Sequence, residues 1–144
     1  MNLKVLSIAV VVTAVAIQFI PYGKEHTNPP VVSSPLWDSP RTQELFNRAC
    51  ADCHSNQTKY PWYSNIAPIS WLVMHDIEEG REKLNVSMLG VQKKNKVKDA
   101  ADEVKEGEMP IPPYFIAHPE ARLSDTEKQE LISGLEKTFG KEEK

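Results

Sequence analysis

The sequence predicts an all-α domain, and three observations carry that prediction. Apolar residues recur at helical spacing in four stretches. Capping residues or prolines open three of these stretches and a glycine closes one. Alternating strand patterns are almost absent. With 144 residues, 40% hydrophobic and 26% charged, the chain has room for one small domain and is neither a disordered tail nor a polytopic membrane protein. A formal net charge of −3 gives no basic field, so nucleic acid is not an expected partner. Eleven prolines call for turns and extended connections between short helices.

The first 22 residues stand apart. Met1 to Lys4 form a short cationic start, and Val5 to Ile20 are sixteen residues without a charge. At about 1.5 Å per residue that run is roughly 24 Å long, short of the ~30 Å hydrocarbon core, so flanking residues and a snorkelling Lys4 have to help it span. Ala14-Val15-Ala16 has the form of a cleavage tripeptide but lies inside the apolar run. That position favours an uncleaved signal-anchor over residues 1–22 against a removed export signal. With Lys4 inside, the rest of the chain is expected on the periplasmic side of the inner membrane.

Residues 23–40 hold four prolines and no apolar stripe, the composition of a semi-rigid linker able to reach on the order of 50 Å. The expected domain is 41–144. Its first helix, Arg41 to Cys50, is capped by Asp38 or Ser39 with Pro40 in the first turn, and it places Leu45, Phe46 and Ala49 on one side. A second begins near Pro68, with Ile69, Leu72, Val73, Ile77 and Leu84 as its stripe and Gly80 as a weak point. A third, Val97 to Glu106, follows the lysine-rich loop 93–98 and stops at Gly107. The fourth opens on a capping box, Ser124 to Glu127, and buries Leu131, Ile132, Leu135 and Phe139.

The only two cysteines lie in CADCH, as Cys50 and Cys53, with His54 directly after them. Two thiols one helical turn apart can add across the two vinyl groups of haem while the next imidazole reaches the iron. Other readings are weaker. A thioredoxin-like pair wants a βαβ setting, zinc wants a second ligand pair, and a Cys50–Cys53 disulfide closes too small a loop to stabilise much. A porphyrin between helices would supply apolar centre that a chain of this size lacks, so the haem-free chain is expected to be largely unfolded.

The second axial position has five candidates: Met74, His75, Met88, Met109 and His118. Met109 stands out, because EGEMPIPPY follows a helix stop and Pro110, Pro112 and Pro113 are expected to keep the helix from resuming. His75 is expected to be a partly buried structural residue and His118 to serve the loop before the last helix. Tyr60, Trp62, Tyr63 and Trp71 are expected as packing walls.

Residues 50–85, CADCHSNQTKYPWYSNIAPISWLVMHDIEEGREKLN, with the later GEMPIPPYFIAHPEARLSDTEKQELI, resemble the bacterial haem-binding domain family of monohaem c-type proteins. The likeness covers roughly Leu36 to Gly134. It implies Cys50 and Cys53 as thioethers to one haem c, His54 as proximal ligand and Met109 as the methionine of the Met-Pro segment. The order of parts is loosely similar to small class I cytochromes c, from which the stretch holding Trp62 and Trp71 departs. The expected function is that of a membrane-anchored carrier passing one electron at a time between redox protein partners, not an enzyme. The alternatives are a haem-based gas or redox sensor, or a small peroxidase, with an open sixth position beside His75 or His118. A third is a structural subunit accompanying a larger oxidase.

Overall fold

A computed structural model describes residues 2–140; Met1, at the head of the expected anchor, and residues 141–144, at the end of the expected domain, lie outside the described residues. Every regular element among the described residues is helical: α1 (Leu3–Ala16), α2 (Pro40–Ala49), α3 (Ala51–His54), α4 (Ile69–Lys83), α5 (Ala100–Glu106), α6 (Pro112–Ala117) and α7 (Asp125–Phe139), with short 3-10 turns between them.

Helix α2 begins where its sequence says it should. The Ser39 hydroxyl accepts from the Thr42 amide at 3.2 Å, and Pro40 occupies a position whose missing N–H costs nothing. Its buried face is Leu45, Phe46 and Ala49. Both halves of the capping box form on α7: Ser124 Oγ accepts from the Glu127 amide, and the Glu127 carboxylate accepts from the Ser124 amide at 2.9 Å. Leu131, Ile132 and Leu135 go into the core, while Phe139 meets the edge of Trp37. Helix α7 packs on both α2 and α5, and α3 packs on α4. One core results, closed by Leu84, Val86, Ala101, Val104 and Leu123.

Three stretches differ from the sequence-based expectation. Helix α4 runs unbroken through Gly80, yet of its expected stripe only Ile77 and the following Leu84 are buried, while Ile69 and Leu72 are exposed. The prolines after Met109 do not prevent a helix: α6 starts at Pro112, because prolines in a first turn lack only an N–H that would be unpaired there anyway. Trp62 is exposed and walls nothing, whereas Tyr60 stacks on His26 at 4.3 Å.

Residues 23–39, with three of the four prolines of the expected linker, are mostly extended, but they lie along the domain as a strap. Asn28 Nδ2 donates to Thr58 O (3.0 Å), Asn56 Nδ2 donates to Pro30 O (2.8 Å), and the Val32 and Ser33 amides both donate to Ser87 O (3.0 Å). Trp37 then stacks obliquely on Phe46. Helix α1 has no buried residue. No helix among the described residues is long and apolar enough to cross a membrane.

Candidate cofactor site

Helix α2 delivers Cys50 as its C-terminal cap, and the Cys50 carbonyl then accepts from the amides of both Cys53 (3.2 Å) and His54 (3.0 Å). One tight turn therefore presents two free thiols and an imidazole. Ser55 ends the turn in extended backbone. Arg81 holds the chain beyond it: Nε donates to Ser55 O (2.9 Å) and the guanidinium also reaches Thr58 Oγ1 (2.9 Å) and Asn28 Oδ1 (2.8 Å). The loop, the strap and α4 meet on this one side chain.

The orientation of His54 comes from α4. Its Nδ1 lies 3.1 Å from Gly80 O and 3.0 Å from Leu84 O. Both neighbours are carbonyls, so Nδ1 carries the proton and Nε2 is left with a lone pair, the tautomer a metal-binding imidazole needs. Burial lowers the His54 pKa, only partly offset by those two carbonyls, which keeps the ring neutral. This approach requires glycine at position 80: a Cβ there would lie 2.7 Å from Cys53 O and 3.0 Å from Cys53 Cβ. Burial also pushes both thiols up to about 12, with the neighbouring Cys53 adding to the shift of Cys50, and Asp76 and Asp52 to that of Cys53. In the folded chain they are neutral and poor nucleophiles.

Met109 reaches the same place from the other side. Helix α5 stops at Gly107, whose φ of 81° is a left-handed cap, and the amides of Glu108 and Met109 both fold back onto Glu103 O (3.0 and 3.1 Å). Cys50, Cys53, His54 and Met109 together line one cleft, with Gly80, Ile111 and Tyr114. Cys50, His54 and Met109 also line a second, whose walls are Phe46, Leu84, Val104 and Leu135. Both clefts are lined mainly by apolar surface. Lys83, Lys96, Asp99 and Glu103 rim the second. Apolar walls with a charged lip suit a flat amphiphile bearing carboxylates. Among the described residues no group of three or more His, Cys, Asp or Glu converges as a chelated ion would require.

The model of the haem-binding domain family matches residues 12–137. The chain belongs to that family. Neither the curated proteins nor the solved structures include one that matches it. The residues of this haem-binding domain fit the group: the donor set is soft sulfur and neutral imidazole, and the clefts between them are apolar.

The other candidates of the haem-binding domain fall elsewhere. His75 is exposed on α4, 3.7 Å from Glu79. His118 lines a neighbouring cavity with Tyr63, Leu72 and Cys53, where Tyr63 Oη is 2.7 Å from its Nε2 and Glu120 is 3.2 Å from its Nδ1. Met74 and Met88 are half-buried and line neither of the two clefts. Reasoning from sequence missed three supporting residues. Gly80 could have been found from a glycine inside a helical stripe, a sign of close approach. Arg81 and the Tyr114 hydroxyl, which donates to Asp52 Oδ2 at 2.8 Å, carry no local signal, because their partners lie 26 and 62 positions away.

Proposed function

We propose that this haem-binding domain is a monohaem c-type cytochrome that passes single electrons between protein partners from the outer face of the inner membrane, held there by its N-terminal segment. The observation that carries the reading is the convergence of Cys50, Cys53, His54 and Met109 on one cleft, with His54 Nδ1 already engaged by α4. Haem c, when bound, supplies the one-electron couple of its iron. The protein's part would be to hold it: Cys50 and Cys53 would bind the macrocycle covalently, His54 Nε2 and Met109 Sδ would ligate its iron, and Phe46, Leu84 and Leu135 would keep water away. With two protein ligands on the iron, no substrate would have to enter and little would rearrange as the charge changes. The apolar α1, exposed throughout, serves as the anchor in this reading.

The test is optical and mass-spectrometric. The chain matured in an exporting bacterium is expected to carry one haem by intact mass and to show a low-spin spectrum with the methionine-to-iron charge-transfer band, lost in Met109→Ala. A mass equal to the bare polypeptide sinks the covalent reading. A high-spin ferric spectrum that takes up cyanide in the unmodified protein replaces the carrier with the sensor or peroxidase reading, for which His118, Tyr63 and Glu120 beside Cys53 are the residues to test.

A further inference from the structure

The two longest runs of this sequence without Asp, Glu, Lys or Arg are residues 5–23 and 60–75. The first holds α1. The second holds Trp62, Ile66, Ile69 and Leu72, which are 76%, 42%, 45% and 53% exposed; Ile69 and Leu72 also stand at the edge of the cavity shared by Cys53 and His118. Exposed apolar side chains grouped in one uncharged stretch call for an explanation in a small domain.

The fold joins the two runs at one point. The Gln18 side chain, just after α1, pairs in both directions with the backbone of Ala67: Nε2 donates to Ala67 O (2.9 Å) and Oε1 accepts from the Ala67 amide (3.1 Å). Ala67 sits between Ile66 and Ile69 in the chain. Lys24 Nζ donates to Gln18 O, and Tyr22 Oη donates to Glu78 on α4 at 2.9 Å. The end of α1, with exposed Phe19 and Ile20, is therefore clamped to the corner that carries the second run.

We infer that the Trp62–Leu72 face is a lipid-docking surface, which lays the haem domain on the bilayer that holds α1. The inference rests on the anchor reading given above. Lipid is the occupant the observations select, because the face is continuous with a helix that is apolar on every side and has no buried residue. The chemistry agrees: a tryptophan and a tyrosine, Trp62 and Tyr22, stand where aromatic side chains favour the headgroup level. The 14 residues of α1 rise only about 21 Å, so a bilayer that accommodates α1 brings the clamped corner down into its interface.

The test uses the full-length haem-loaded chain in phosphatidylcholine vesicles at high salt. Flotation reports the anchor, and hydroxyl-radical footprinting reports the face. With each rate divided by that of the same residue in the vesicle-free haem-loaded chain, the values for Trp62, Ile66, Ile69 and Leu72 are expected to fall several-fold below those for Leu36, Val91 and Ile116, exposed apolar residues outside the face. Failure to float overturns both the anchor and the docking face. Flotation with all seven residues modified alike leaves the anchor standing and overturns the docking face. Protection that fades as the chain is diluted into excess lipid means that a second copy covers the face, and overturns it as well.

Discussion

Gly80 and His54 act as one unit. The missing side chain at 80 lets α4 lie against Cys53, and the carbonyls of Gly80 and Leu84 then hold the imidazole. In Gly80→Ala the new methyl meets backbone, which cannot swing away. The expected cost is about 1–3 kcal/mol in a urea melt of the haem-loaded protein. If His54 ligates the haem iron as proposed, then as α4 recedes and Nδ1 loses part of its hydrogen bonding the imidazole would be a poorer donor to ferric iron, and the midpoint potential is expected to rise; an unchanged potential in a destabilised variant would show that the carbonyls do not tune the metal. At this scale the sequence was legible where chemistry is local. Cys50, Cys53 and His54 announce themselves by spacing, whereas the acceptors of Nδ1 lie 26 and 30 residues downstream.

Helices α2 and α7 cross where Thr42 meets Gly134. A Cβ at 134 would come within 2.6 Å of Thr42 Cγ2 and 2.8 Å of its Cβ. Gly134→Ala is therefore expected to lose about 1–3 kcal/mol of stability, and adding Thr42→Ala should recover part of the loss, since only the Cβ contact then remains. Additive losses in a double-mutant cycle would place the strain elsewhere. The α7 cap has its own signature. Arg48, foremost, and the Ser124 amide hold the Glu127 carboxyl down at about 2. A carboxyl depressed in the fold contributes stability that is complete above its unfolded pKa of about 4.3 and fades as pH falls towards about 2. The Tm gap between the natural chain and Glu127→Gln should accordingly close across that window and stay constant above it. Elements were legible where a cap and a stripe coincide, as on α2 and α7. They were less so on α4, whose periodic Ile69 and Leu72 satisfy the helix pattern and yet face outward, and at Pro112, where a first-turn proline looks in the sequence like a breaker.

For the molecule as a whole, His54, Met109 and the apolar walls of two clefts enclose space that the chain by itself does not fill. Lost contacts across that space, in a domain of this size, leave little net stability. Cys50→Ala/Cys53→Ala, produced without haem, is expected to show no cooperative thermal transition by circular dichroism; a native-like melt would show that the polypeptide core suffices. Domain class and the identity of the cofactor were legible in composition and CADCH. The path of residues 23–39 was not, because prolines specify an extended chain without saying what it lies on, and the docking groups are ordinary Asn and Arg side chains and the Ser87 carbonyl.

That strap removes slack. Were the 17 residues from Gly23 to Ser39 loose, the redox centre could swing out like a bucket on a rope and visit donors and acceptors at different heights. Stitched down by Asn28, Pro30, Val32 and Ser33, it stays where it was put. In the carrier proposed above, exchange partners would then have to come alongside, by drifting sideways or arriving from bulk, and turnover would depend on their traffic and not on the play in a tether.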